Sequence, residues 1–144
     1  DARSRNRAVL PELSGSIAMG ATVSAIAIGS GWDLAPAFGL WLVLAARDVA
    51  AIVLVRGQIR RLHGRSTGAS TIYAVQAATT GAIAIAAVLD IVPWLAVVAI
   101  GLVGLVAVVS LSRPPVEAKV IGWTQMGVGL MVVLITAAGV GLAW

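Results

Sequence analysis

The sequence has no cysteine and one histidine, and charged residues make up only 11% of its 144 positions. Without cysteine the chain forms no disulfide framework, and it offers no thiolate ligand for a metal and no catalytic thiol. A single histidine, His63, does not supply a two-histidine haem site. Soluble domains are usually about a quarter charged, so this chain has too little polar surface for a soluble protein.

The chain is instead rich in apolar residues. Hydrophobic residues make up 60% of the chain, and the mean hydropathy is +1.01. Runs of roughly 20 apolar residues lie between short turns, which is the length needed to cross a hydrocarbon core. The strand-like alternation of a membrane barrel is absent, and a helix satisfies its own backbone groups in lipid. The sequence therefore predicts an all-α polytopic membrane protein, a bundle of about five transmembrane helices.

Prolines, glycines and charged clusters divide the apolar sequence into segments. We predict one transmembrane helical domain over residues 1–144, with spans at about 13–31, 34–55, 69–90, 94–111 and 120–143. The second helix is expected to continue past its span through "VRGQIRRLHGR" and to end at Gly64, since glycine commonly terminates helices.

Basic residues indicate the orientation in the membrane. Nine of the ten fall in the N-terminal segment or in the loops after the second and fourth spans. By the positive-inside rule the N-terminus is cytoplasmic and the C-terminus faces outward, as in a multi-pass inner-membrane protein. Trp32, Trp94 and Trp144 are then expected at the outer interface and Trp123 at the inner one. The net charge of +4 does not indicate nucleic-acid binding, because the arginines gather at helix ends.

Arg47 and Asp48 stand inside the second span. Arg47 precedes Arg56 by nine residues, so it lies roughly 13 Å into the core along a helix. Adjacent helical positions point about 100° apart, so neither side chain shares a face with the other. We expect Gln76, Thr79 and Thr80 of the third span to lie at a similar depth and to complete a polar intramembrane cluster with this pair. Three interpretations stay open: a structural ion pair, a site for an anionic headgroup, substrate or proton, or a pair that lies nearer water.

Two further patterns bear on helix ends and helix contacts. A cytoplasmic basic patch follows the second span, where each arginine contributes about 1 kcal/mol to binding an anionic membrane surface; its members are Arg56, Arg60, Arg61 and Arg65. A role in fixing the orientation of the protein in the membrane would by itself explain these arginines. In the first span Ser16, Gly20 and Ser24 recur every fourth position, and such small-residue stripes pack helices together.

Three stretches resemble the C-terminal part of the YwiC-like family of bacterial membrane proteins: "RNRAVLPELSGS", "VLVRGQIRRLHGR" and "RPPVEAKVIGWTQMGVGLMVV". The resemblance covers most of the chain and includes Pro114, Pro115, Lys119, Ile121 and Gly122. It implies a polytopic helical architecture and earlier N-terminal spans that this sequence does not include. The activity of the family is uncharacterised, so the resemblance implies no mechanism.

The resulting hypothesis is a non-catalytic accessory or scaffold subunit that packs against other membrane proteins and membrane lipids. The alternative is a small transporter or a lipid- or anion-binding protein that uses Arg47, Asp48 and Gln76. A prenyltransferase-like enzyme needs paired aspartates to hold Mg²⁺-diphosphate, whereas Asp48 and Asp90 lie in different spans. We therefore expect no enzyme activity, no cofactor and no metal site.

Overall fold

Five α-helices make up the described part of the chain. The computed structural model describes the backbone of residues 2–143, together with the side chains of residues 11 and 13–142. In chain order the helices are α1 (Ala2–Gly29), α2 (Leu34–Leu62), α3 (Ala69–Val88), α4 (Trp94–Ser112) and α5 (Ala118–Ala143). The prediction of an all-α chain is confirmed.

Four of the helices, α2 to α5, are each long and apolar enough to cross a membrane. The apolar part of α1 is shorter and runs over Leu13–Gly29, at the lower end of the roughly 17–25 residues that a spanning helix needs. The observed ends of α3, α4 and α5 lie within two residues of the predicted spans.

The first helix differs from the prediction at its beginning. The first span is predicted to begin at about residue 13, but α1 begins at Ala2 and continues through Pro11. Proline has no N–H, so the helix loses one backbone hydrogen bond there without being interrupted. Helical structure therefore extends well before the apolar segment.

The end of α2 follows the predicted form. Leu62 is its last residue, and Gly64 has φ +69°, the left-handed conformation that glycine adopts without strain. The amide of Arg65 donates to the carbonyl of Arg60 at 2.9 Å, and that of Gly64 donates to Arg61 at 3.0 Å. These bonds satisfy carbonyls that the helix would otherwise leave without partners.

Helix α2 lies at the centre of the bundle. Among the described residues it packs against α1, α3, α4 and α5, whereas α1 packs against α2 alone. The main core lies between α2, α3, α4 and α5 and is rich in alanine, with Ala50, Ala96 and Ala99 fully buried. Small side chains allow helix axes to approach closely, so backbone packing holds much of this core.

The predicted small-residue stripe of α1 lies at its contact with α2. Gly20 is buried, and a Cβ atom there would lie 3.5 Å from the Trp41 ring. The Trp41 indole donates to the Ile17 carbonyl at 2.9 Å, and the Ser24 hydroxyl donates to the Ala37 carbonyl. The packing role predicted for Gly20 and Ser24 is confirmed.

The two ends of the bundle differ in charge. One, here called the basic end, carries loops 63–68 and 113–117 and the last turns of α2. The opposite end carries loops 30–33 and 89–93, with Asp33 and Asp90 and no lysine or arginine. Trp32 and Trp94 are exposed at that opposite end and Trp123 lies near the basic end, whereas Trp144 lies outside the described residues.

Candidate functional site

Arg47 and Asp48 form an ion pair within α2. Nη1 of Arg47 donates to Oδ1 of Asp48 at 3.0 Å. The side chains are only 22% and 20% exposed, so the bundle covers most of both. Of the interpretations that the sequence left open, the structure shows the ion pair: the two positions point in different directions, but the long arginine side chain bridges the offset between them. The pair neutralises itself without a third residue.

The same guanidinium also contacts α5. Nη2 of Arg47 donates to the backbone carbonyl of Gln125 at 2.8 Å. A Cβ atom at Gly129, one turn further along α5, would lie 2.7 Å from Nη2 and 3.2 Å from Cζ. The guanidinium therefore lies against a bare stretch of α5 backbone, and a side chain at position 129 would have to displace it.

The α3 side chains expected beside Arg47 have other partners. Gln76 is 6% exposed, and its Nε2 donates to the Ala50 carbonyl of α2 at 3.1 Å. Thr79 donates within its own helix, to the carbonyls of Val75 and Gln76. Among the described residues no hydrogen bond joins Arg47 to either side chain. The predicted cluster therefore separates into an Arg47–Asp48 pair facing α5 and a Gln76 contact facing α2.

Thr80 lies in a shallow groove on the α3–α4 surface. It lines this groove with Tyr73 and Gln76 from α3 and with Gly101 and Gly104 from α4. The groove lies between α3 and α4, and Arg47 is not among its lining residues, so Thr80 does not join the predicted cluster there.

Several buried polar atoms lack partners. Nε of Arg47 and the Oε1 atoms of Gln76 and Gln125 have no hydrogen bond in the part of the chain that the structure describes, and neither does the Thr136 hydroxyl. A buried polar group without a partner costs roughly 1–3 kcal/mol. At each of these atoms a water molecule, a lipid or a side chain of a partner protein could form the missing hydrogen bond.

The four arginines of the predicted basic patch divide by burial. Arg60 and Arg65 are exposed, whereas Arg56 and Arg61 are partly buried. Nη1 of Arg61 donates to the Leu111 carbonyl in the last turn of α4 at 2.8 Å. That bond attaches the end of α2 to the end of α4, so Arg61 has a structural contact as well as its charge.

The sequence prediction of site residues missed Gln58 and Arg113, and it indicated Gly129 only as one of several small residues of α5 that pack helices. Gly129 is one of many glycines, and its neighbour lies 82 positions away in sequence, so no local pattern distinguishes it. Gln58 and Arg113 line a cavity at the basic end that forms only when α2, α4 and α5 meet. The small-residue composition of α5 was the only available signal.

Within the described residues no group of three or more His, Cys, Asp or Glu side chains lies close enough to hold a metal ion. Comparison of this chain with protein-family models, curated proteins and solved structures found no match.

Proposed function

We propose that this chain is a non-catalytic, multi-pass inner-membrane protein that serves as an accessory or scaffold subunit, packing its helices against other membrane proteins. Its N-terminus is cytoplasmic and its C-terminus faces outward, so the basic end lies in the cytoplasmic leaflet. We also propose that the chain is related to the YwiC-like family, on the basis of the three sequence stretches that resemble it.

The observation that carries this proposal is the pairing of Arg47. Its guanidinium already bonds the Asp48 carboxylate and the Gln125 carbonyl, and it fills the space beside Gly129. A substrate or headgroup would have to displace these contacts to reach the charge. An ion pair that is neutralised within the chain and that joins α2 to α5 supports a structural role, since a charge in lipid is costly unless paired.

The placement of α1 supports a partner protein. Because α1 packs only against α2 among the described residues, a groove remains between α1 and α5. Its volume is about 400 Å³, and its walls include Val23 of α1, Leu44 of α2 and Val133 of α5. Thr136, whose hydroxyl has no partner among the described residues, also lines this groove. A helix of another subunit would bury the apolar walls of the groove.

Native purification in mild detergent, followed by mass spectrometry of co-migrating proteins, tests the scaffold role. We expect stoichiometric membrane partners, and we expect Val23→Trp to reduce their recovery because it narrows the groove. Val88→Trp is the matched control, because Val88 is exposed on α3, away from the groove. A monodisperse chain without partners would overturn the proposal, as would equal recovery from both variants.

The alternative is a small transporter or a lipid- or anion-binding protein using Arg47, Asp48 and Gln76. It draws support from Nε of Arg47 and Oε1 of Gln76, which are buried without partners in the described part of the chain. Binding of an anion at this position predicts that Arg47→Met abolishes uptake or binding in proteoliposomes while the protein stays folded. Unchanged uptake or binding in that variant contradicts the alternative.

A further inference from the structure

A cavity of about 340 Å³ opens at the basic end, between the ends of α2 and α4, the loop 113–117 and the first turns of α5. We call it the basic-end cavity and define it by Gln58, Arg61, Leu105, Val109, Arg113 and Ile121, which are among its lining residues. It is separate from the Arg47–Asp48 pair, and its volume is in the range of small-molecule sites.

Two guanidinium groups belong to the wall of this cavity. Arg61 is oriented by its bond to the Leu111 carbonyl at 2.8 Å, which uses one of its five N–H donors. Arg113 stands in the loop after α4, and in the described part of the chain it takes part in no ion pair. Planar guanidinium groups bind phosphate oxygens in a bidentate manner, so two of them on one cavity favour a phosphate ligand.

The wall also contains an acceptor that needs a donor. Gln58 lines the cavity, and its Oε1 is buried without a hydrogen bond among the described residues. A ligand that satisfies this atom must carry a hydroxyl or ammonium group as well as its phosphate. The cavity therefore selects for more than negative charge.

The remaining wall is mostly apolar, with Ser110 and Thr124 as its other polar members. Leu105 and Val109 of α4 are exposed to about half of their surface, at 56% and 40%, and Ile121 of α5 closes the other side. A soluble phosphate compound gains nothing from this surface, whereas an acyl chain buries it. The lining thus combines two cationic side chains with an apolar wall that an acyl chain can cover.

We infer that the basic-end cavity binds one anionic glycerophospholipid whose headgroup carries a hydroxyl, such as phosphatidylglycerol. Arg61 and Arg113 hold its phosphate, the amide oxygen of Gln58 accepts from the headgroup hydroxyl, and an acyl chain lies along Leu105 and Val109. The inference goes beyond the scaffold role and shares with it only the membrane location.

Native mass spectrometry of the purified 144-residue chain, titrated with phosphatidylglycerol or phosphatidylcholine, tests this site without any partner protein. We expect tighter binding of phosphatidylglycerol, weakened about five-fold by Arg113→Gln and more by the Arg61→Gln/Arg113→Gln pair, since each arginine near an anionic lipid contributes about 1 kcal/mol. Arg65→Gln is the matched control, because Arg65 belongs to the exposed basic patch that faces a whole membrane surface but does not line the cavity, so it should not contact a single lipid bound there. We expect it to leave binding within about two-fold of the parent chain, a difference of about 0.4 kcal/mol.

Three results overturn the inference. Equal losses in Arg65→Gln and Arg113→Gln indicate a diffuse basic surface and no site. Glycerol 3-phosphate binding as tightly as the lipid indicates a soluble phosphate ligand. Equal binding of phosphatidylglycerol and phosphatidylcholine would show that the cavity does not recognise the headgroup charge.

The double variant loses the Arg61–Leu111 bond and could unfold for that reason alone. Because Arg113 lies in a loop, the single variant Arg113→Gln still tests the site in that case. If Arg113→Gln loses lipid binding but still co-purifies with its membrane partners, the lipid site and the scaffold role are independent of each other.

Discussion

The guanidinium of Arg47 occupies the space that a side chain would fill at Gly129. A Cβ atom at position 129 would lie 2.7 Å from Nη2, closer than carbon and nitrogen atoms approach without a bond. The two residues belong to α2 and α5, helices that otherwise share few contacts. This fit, together with the bond to the Gln125 carbonyl, fastens α5 to the central helix.

Gly129→Ala should lower the free energy of unfolding by about 1–3 kcal/mol, because the added methyl forces the pinned guanidinium to move. Gly127→Ala is the matched control, since a Cβ there meets no atom within 4 Å. Alanine is favoured over glycine within a helix by about 0.5–1 kcal/mol, so the control should be neutral or stabilising. Unfolding in mixed detergent and dodecyl sulfate, followed by tryptophan fluorescence, measures both. Equal effects of the two substitutions would contradict the fit.

The Arg47–Asp48 pair predicts a strong coupling in a double-mutant cycle. Arg47→Met leaves a largely covered carboxylate without its partner, and Asp48→Asn leaves a covered guanidinium with a weaker one. We expect the double variant to be more stable than the sum of the single losses predicts, by about 1–3 kcal/mol. The same unfolding assay gives the four free energies. Strictly additive losses would show that the ion pair does not form.

Gln76 is predicted to act independently of Arg47. Gln76→Met should cost about 1 kcal/mol or less, the usual worth of one interhelical hydrogen bond in a membrane bundle. Combined with Arg47→Met, its effect should add within about 0.5 kcal/mol, because no hydrogen bond joins the two side chains in the described structure. A coupling well above this limit in the unfolding cycle would restore the single polar cluster expected from the sequence.

Gly39 lies where α2 meets the turn between α3 and α4. A Cβ atom there would overlap the Ile91 carbonyl and lie 2.9 Å from Cγ1 of Val92. Since a backbone carbonyl cannot rotate away as a side chain does, Gly39→Ala should destabilise by at least about 2 kcal/mol. Gly81→Ala is the control, because a Cβ there meets nothing within 4 Å. Thermal midpoints in detergent compare the two, and similar midpoints would disprove the close approach.

The orientation can be tested with single cysteines, because the chain contains none. Ser66→Cys lies in the exposed loop at the basic end and Ser30→Cys in the exposed turn at the opposite end. In intact cells a membrane-impermeant maleimide should label Ser30→Cys only, and Ser66→Cys should need permeabilisation. The reverse pattern would invert the orientation, and labelling of both from outside would mean that α2 does not cross.

Except at the beginning of α1, length, hydropathy and helix-ending residues were enough to locate the helices, because these properties act over a few neighbouring positions. The end of α2 at Gly64 and the helix contact of Gly20 and Ser24 were also predicted from residues close together in sequence, and both are observed. Arg47 and Asp48 could be recognised as unusual from the sequence, since charge within an apolar run is conspicuous.

The partners of those charges depended on long-range geometry. The sequence alone determined an all-α chain of apolar helices with nine of its ten basic residues in the N-terminal segment and the loops after the second and fourth spans, because composition and periodicity follow from local chemistry. The tertiary structure decided that Arg47 pairs with its own neighbour and lies on Gly129, while Gln76 bonds to Ala50. In apolar helices with similar residues on all sides, the sequence does not specify which face meets which helix. Packing of the other four helices around α2 makes that choice.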